Sequence, residues 1–507
     1  MKRTTDQIIG LQGEMDKKPV ALLVGEDGFD AGIGGFHYVI NKDYAVCLER
    51  LGIVPFLAYD IRNVEDYVKF ADLLCLTGGA DIHPGWYREY YRDTLEMEGL
   101  SQERDALDFA LCRRFIEEKK PILAIGRGLQ VVNVALGGTL CRDVCKKTGQ
   151  NHWISDRIME KNRKESARMH LVSASGSNFL SEVCGERIWV NSYHRQGIEC
   201  LGKGFSAAYQ AEDGTIEAVF HQSLPILGVQ WHPEQPDWEN ERQIEVFQAF
   251  KKWSGLEEKK KGEREEQRVQ KPLILVNGGP AFDSQFQRSA WIANRTYSGA
   301  VSAAGGVPLM PLAEHMAEEY ACFSDAFLWT GSISFVPKKG LRERLKREEM
   351  PKRRQFDQAL FWSYYQKKKP ILGICLGHQM INYYLGGTLE GDFRFRTGVE
   401  HMLYPHRVRT EKESVLSALF GEVFWVNSRH NDKIDRLAEE LYATAWSEDG
   451  VIEAFEHKEL PIYGVEWHPE RMRGEFREPV QGPDMTKLFT WFIRQSIDVK
   501  FNIFDYK

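Results

Sequence analysis

The sequence predicts an α/β protein made of two tandem three-layer α/β/α sandwiches, each with a mostly parallel sheet. Two observations predict it. Short apolar runs alternate with amphipathic helical stretches, the pattern of strands buried on both faces and linked by helical crossovers. That pattern then occurs twice. Asn41 and Tyr44 match Asn294 and Tyr297, Val54-Pro55 matches Val307-Pro308, and Thr77-Gly78 matches Thr330-Gly331, all at a spacing of 253 (294 − 41). The spacing falls to 249 (375 − 126) and then to 236 (425 − 189), so the second copy lacks loop residues in two places. The order of landmarks never changes. A period of about 250 residues is too long for a solenoid and reads as duplication of a whole domain.

In the first copy, Val20–Val24, Val54–Leu57, Leu73–Leu76 and Ile122–Ile125 read as buried strands, and Asp105–Ile116 as an amphipathic helix. Ile188–Val190, Thr215–Phe220 and Ile226–Val229 add strands of a hairpin kind, with turns at Asp213-Gly214 and, in the second copy, Asp449-Gly450. The copy ends in the stripe Ile244, Val246, Phe247, Phe250 and Trp253. Residues 254–271, SGLEEKKKGEREEQRVQK, have no apolar period and read as a solvated linker. Five glutamates offset their lysines, which argues against a nucleic-acid patch. The second copy restarts at Pro272 with Leu273–Val276. The expected domains are therefore 1–253 and 272–507, joined by 254–271.

Composition narrows the class. Of 507 residues, 43% are hydrophobic and 27% charged, as in a soluble globular protein. A net charge of −7 gives no electrostatic case for nucleic acid. Residues 1–18 are polar and charged without a signal-type apolar stretch, and no run of about 18 apolar residues marks a membrane span. The nine cysteines form no CxxC pair. Reduced thiols in a cytoplasm are the expectation.

The chemistry lies in two short segments. Gly373-Ile374-Cys375-Leu376-Gly377 follows a strand-like run and precedes a stretch with Met380, Ile381, Tyr384 and Leu385 on one helical face. This is the cysteine form of a nucleophile elbow. Its sharp turn needs small flanking residues, and it lifts the thiol to a helix N-terminus, where the dipole favours a thiolate. Downstream, Val465-Glu466-Trp467-His468-Pro469-Glu470 sets a histidine and a carboxylate two residues apart. On extended chain such residues point the same way, so Glu470 can orient His468 toward the thiol. The first copy keeps His232 and Glu234 but reads Ile125-Gly126-Arg127 at the elbow. It has lost its nucleophile, and a guanidinium cannot replace it.

The pairing of G-I-C-L-G-H-Q with W-H-P-E resembles the class I glutamine amidotransferase superfamily. Thr77-Gly78-Gly79-Ala80-Asp81, Arg104-Asp105 and Gly126-Arg127-Gly128 are similar to its γ-glutamyl-γ-aminobutyrate hydrolase family, the peptidase C26 group. The resemblance covers nearly all of both copies. It implies a triad of Cys375, His468 and Glu470, and an oxyanion hole from the amides of Leu376 and the Gly331-Ser332 turn. It implies contacts to the glutamyl group from Gln379, Asn427, Ser428, Arg429 and His430. Arg396 and His401 fall in an irregular stretch able to cover the site. The second copy departs from the family pattern where Ser332 and Ser334 replace Gly79 and Asp81, which leaves the accepted amide open.

The expected activity is hydrolysis of γ-glutamyl amides through a γ-glutamyl thioester, with no metal or organic cofactor. Two alternatives remain. One is a non-catalytic γ-glutamyl binder or scaffold. The other is a glutaminase passing ammonia to a separate synthase, though no synthase-like segment is present. For the first copy, two roles stay open: a ligand-binding pseudoenzyme, or a packing partner for the second copy.

Overall fold

The computed structural model describes residues 18–30, 35–87, 100–152, 170–235, 243–256, 269–283, 288–331, 350–391, 401–402, 404–474 and 477–504. The chain divides into two compact units, one holding Val39–Arg268 and the other Trp291–Lys507, with shorter segments assigned to each.

The first unit is built on nine strands: β1 (Val20–Val24), β2 (Val54–Ala58), β3 (Leu73–Leu76), β4 (Ile122–Ile125), β5 (His170–Ala174), β6 (Arg187–Val190), β7 (Phe205–Ala211), β8 (Ile216–His221) and β9 (Ile226–Val229). Their order is β2-β1-β3-β4-β9-β8-β7-β5-β6. The first five are parallel, and the last four continue the sheet antiparallel. The parallel strands are the continuous apolar runs of the sequence. Every residue of β1 is fully buried, as a sheet covered on both faces requires. Helices Val64–Phe70, Gln102–Glu117 and α1 (Arg127–Ala135) pack as one group, and Lys42–Arg50, Phe179–Cys184 and Gln243–Trp253 as another. The last of these ends where the charged run begins; most of that run, 257–268, lies outside the described residues.

The second unit repeats the plan with β10 (Leu273–Val276), β11 (Val307–Pro311), β12 (Ala326–Trp329), β13 (Ile371–Ile374), β14 (His406–Thr410), β15 (Val423–Val426), β16 (Leu441–Ser447), β17 (Ile452–His457) and β18 (Ile462–Val465). The order is β11-β10-β12-β13-β18-β17-β16-β14-β15, with the same change from parallel to antiparallel after β18. Helix α2 (Leu376–Tyr384) follows β13 as α1 follows β4. Strands β5, β7, β14 and β16 escape the sequence reading. They mix buried with less buried residues instead of forming apolar runs, most regularly in the BeBeB pattern of β14.

In both units the carboxyl ends of the central parallel strands β4 and β9, or β13 and β18, meet at the elbow. Among the described residues no helix is long and apolar enough to cross a membrane.

Candidate active site

Cys375 sits at the turn between β13 and α2 with φ 52° and ψ −104°. A β-carbon is strained in this region, so surrounding structure must hold it there. The Cys375 N–H donates to the Val465 carbonyl of β18 at 2.9 Å, and the Gln379 N–H closes the turn into α2 by donating to the Cys375 carbonyl at 3.0 Å. Gly377 is required beside it: a β-carbon there would stand 2.4 Å from the Trp329 carbonyl oxygen of β12. The helix can start this close to the sheet only with glycine.

The end of β18 supplies His468 and Glu470. His468 Nδ1 lies 2.8 Å from Glu470 Oε1. A carboxylate can only accept, so Nδ1 carries the proton and Nε2 is left to accept one. Asn427 clamps the backbone on both sides, its Nδ2 donating to the His468 carbonyl at 3.0 Å and its Oδ1 accepting the His468 N–H at 2.9 Å. Burial alone would raise the Glu470 pKa, but His468 and Arg471 hold it below the usual carboxylate range. For Cys375, burial raises the thiol pKa, and the carboxylates of Glu466 and Glu470 raise it further, against the Leu376 N–H, which lowers it. Burial and both carboxylates thus favour the thiol over the thiolate.

Gly331 joins these parts. A β-carbon added there would lie 2.9 Å from the His468 ring and 3.6 Å from Cys375 Cβ. Its N–H donates to the Tyr297 hydroxyl at 3.1 Å, and that oxygen stands 3.4 Å from His468 Nδ1. The Gly331 amide is therefore directed at Tyr297, which leaves Leu376 as the expected oxyanion donor among the described residues. Ser332 and Ser334 lie outside the described residues, as does Arg396. Gly331→Ala is expected to lower kcat/KM about 100-fold with an unchanged circular dichroism spectrum, because the methyl group displaces His468. Unchanged turnover would place Gly331 away from the reacting groups.

The remaining sequence candidates serve the framework. Gln379 is buried and donates to Glu466 Oε1 at 2.7 Å and to the Asp432 carbonyl at 3.0 Å. Ser428 Oγ donates to the His401 carbonyl at 2.6 Å. His430 is buried against the Asp432 carbonyl and His401. Arg429 points outward and pairs with Glu478 at 2.6 Å. Thus Gln379, Asn427, Ser428 and His430 spend their polar atoms inside the protein. Sequence reasoning missed Tyr297 and Glu466. Tyr297 was within reach, since the Tyr44–Tyr297 match is a landmark of the repeat. Glu466 stands two residues before His468, yet nothing local shows that its carboxylate ties His378 to Gln379.

The first unit holds the same frame without sulfur. Gly126 takes φ 55° and ψ −113°, close to Cys375. His232 Nδ1 lies 2.8 Å from Glu234 Oε1, Asn191 clamps the His232 backbone, and the Gly78 N–H donates to Tyr44 at 3.0 Å. A β-carbon at Gly126 would stand 3.0 Å from His232 Nε2. The Arg127 side chain is turned to the buried carboxylates of Asp105 and Asp108. A cavity of about 300 Å³ remains, lined by Gly126, Arg127, Gln130, Asp81, Tyr193 and His232 among others.

Known proteins resemble parts of this chain. A putative glutamine amidotransferase-like protein of Lactococcus lactis, YvdE, is 33% identical over 190 residues, 37% of this chain and 77% of that one. The γ-glutamyl-γ-aminobutyrate hydrolase PuuD of Escherichia coli is 34% identical over 150 residues, 29% of this chain and 59% of that enzyme. A solved structure of a putative GMP synthase subunit from Thermoplasma acidophilum aligns with 45% of this chain and 96% of its own, at 18% identity and a TM-score of 0.33. The family model described as peptidase C26 matches residues 32–234 and again 280–470. This chain belongs to the peptidase C26 family and carries its domain twice.

Proposed function

We propose that the second unit hydrolyses γ-glutamyl amides with Cys375 as nucleophile, and that the first unit is a pseudoenzyme. The observation that carries this reading is the strained apex of Cys375 beside a histidine whose tautomer Glu470 fixes. His468 Nε2 takes the thiol proton as sulfur attacks the γ-carbonyl. The tetrahedral oxyanion forms against the Leu376 amide and a donor from the turn after β12. The C–N bond breaks, and the amine leaves with the proton from His468. Water, deprotonated by His468, then cleaves the thioester to release the γ-carboxylate and restore the thiol. The likeness to PuuD, whose name gives a γ-glutamyl amide as substrate, supports that substrate class. A thiol-reactive glutamine analogue and a panel of γ-glutamyl amides test the reading. Rapid labelling at Cys375 with release of glutamate is expected. No labelling and no turnover on any amide would favour the scaffold reading.

The cavity at Gly126 favours ligand binding by the first unit over packing alone. The preserved elbow also makes it repairable. In a Cys375→Ala background, Gly126→Cys is expected to create a thiol beside His232 that alkylates at least tenfold faster than a free cysteine. An introduced thiol no more reactive than glutathione, in folded protein, would mean that the His232 side no longer serves the apex.

A further inference from the structure

Each unit holds a second, largely buried group of ionisable residues that the proposed hydrolytic cycle does not use. In the first unit it comprises His152, His170, His194 and Glu217. In the second it comprises His401, His406, His430 and Glu453, at the spacings of the repeat. The glutamates lie on β8 and β17 and are fully buried. Glu217 Oε1 stands 3.4 Å from His152 Nδ1, 3.4 Å from His170 Nε2 and 3.3 Å from His194 Nε2. None of these contacts has hydrogen-bond geometry, and both Glu217 oxygens lack a hydrogen-bond partner. In the second unit Glu453 Oε1 stands 3.3, 3.1 and 3.6 Å from His401, His406 and His430.

The outward nitrogens settle which way these rings face. His152 Nε2 lies 2.8 Å from the Asp213 carboxylate, and His194 Nδ1 lies 2.9 Å from the Gln196 carbonyl. Both partners can only accept, so both outward nitrogens carry protons. The inward nitrogens of neutral rings are then lone pairs aimed at a buried carboxylate. The second unit repeats this, with His401 Nε2 3.1 Å from Asp449 and His430 Nδ1 3.0 Å from the Asp432 carbonyl. There the inward nitrogens of His401 and His430 also face each other at 3.1 Å. Lone pairs converging on a buried anion repel unless positive charge stands among them.

We propose that each unit holds one divalent cation of the zinc class at this cluster, bound by His152, His170 and Glu217 in the first unit and His401, His406 and Glu453 in the second. His194 or His430 is the candidate fourth ligand. Within each set of three the donor atoms lie within 4.8 Å of one another. Ligands about 2.0–2.1 Å from a tetrahedral zinc stand about 3.3–3.4 Å apart, and the Glu217 distances fall there. The Asp213–His152 and Asp449–His401 pairs are the carboxylate–histidine supports that metal ligands use. Drawing all ligands from protein makes the site structural. It fastens the chain at His152 and His401, which no strand contains, to the antiparallel half of each sheet. The unit without a nucleophile keeps the full set, which separates this role from the thiol chemistry, and the proposal does not depend on the hydrolase reading.

The test strips the full-length protein with a strong chelator and titrates it with Co²⁺, reading the visible d–d bands and metal content by mass spectrometry. About two equivalents per chain are expected, with tetrahedral bands, and Zn²⁺ should compete and raise the melting temperature by several degrees. Glu217→Gln and Glu453→Gln should each remove one equivalent, while Cys375→Ala should remove none. The wild-type titration stands even if a glutamine variant fails to fold. Absence of Co²⁺ bands and of any Zn²⁺ stabilisation in the stripped wild type would overturn the proposal and leave protons as the charge that holds the cluster. Full metal content in the folded double glutamine variant would overturn it equally.

Discussion

Cys375→Ala is expected to abolish γ-glutamyl amide hydrolysis, a loss on the order of a million-fold. Among the described residues no other thiol stands at an elbow apex, and without sulfur no acyl intermediate can form. The fold should survive, because Cys375 is partly exposed and its backbone is held by the Val465 carbonyl. Alanine keeps the strain of a β-carbon at φ 52°. Cys375→Gly should therefore be equally inactive but more stable than the alanine variant by about 1 kcal/mol in denaturant unfolding. The first unit already makes this choice at Gly126. Residual turnover in purified Cys375→Ala protein would show that the nucleophile lies elsewhere.

His468→Asn is expected to lower kcat about 10⁵-fold, and Glu470→Gln about 10³-fold. The ordering follows from the hydrogen bonds. On the proposed mechanism His468 Nε2 handles the proton in both half-reactions. Glu470 fixes the tautomer through Nδ1, and the Tyr297 hydroxyl 3.4 Å away and the Asn427 clamp retain part of the ring's orientation without it. The measurement is single-turnover acylation of both variants at one pH. A larger loss in Glu470→Gln than in His468→Asn would contradict these roles.

The sequence by itself determined the duplication, the α/β class and the central strands, because each rests on local pattern. A strand buried on both faces must be a continuous apolar run, as β1, β3 and β4 are. The elbow is five consecutive residues, and His468 and Glu470 are two apart. Their relation is set by chain geometry before any folding. The antiparallel strands were harder to read, since a strand such as β14 is half polar.

Only the tertiary structure decided which polar groups face one another. Gln379 and His430 look like substrate ligands in sequence, yet Glu466 and the Asp432 carbonyl, 87 and two residues away, already hold them. Tyr297 reaches Gly331 and His468 because its helix, Arg295–Ala303, packs against the turn Pro469–Arg471 that follows β18. Glu217 and Glu453 carry carboxylates in strands β8 and β17, and neither faces solvent. Each is instead covered by histidines from three other segments. A pattern along one strand reports that strand's period, but the charge that a buried carboxylate meets is fixed by segments that meet only when the sheet assembles.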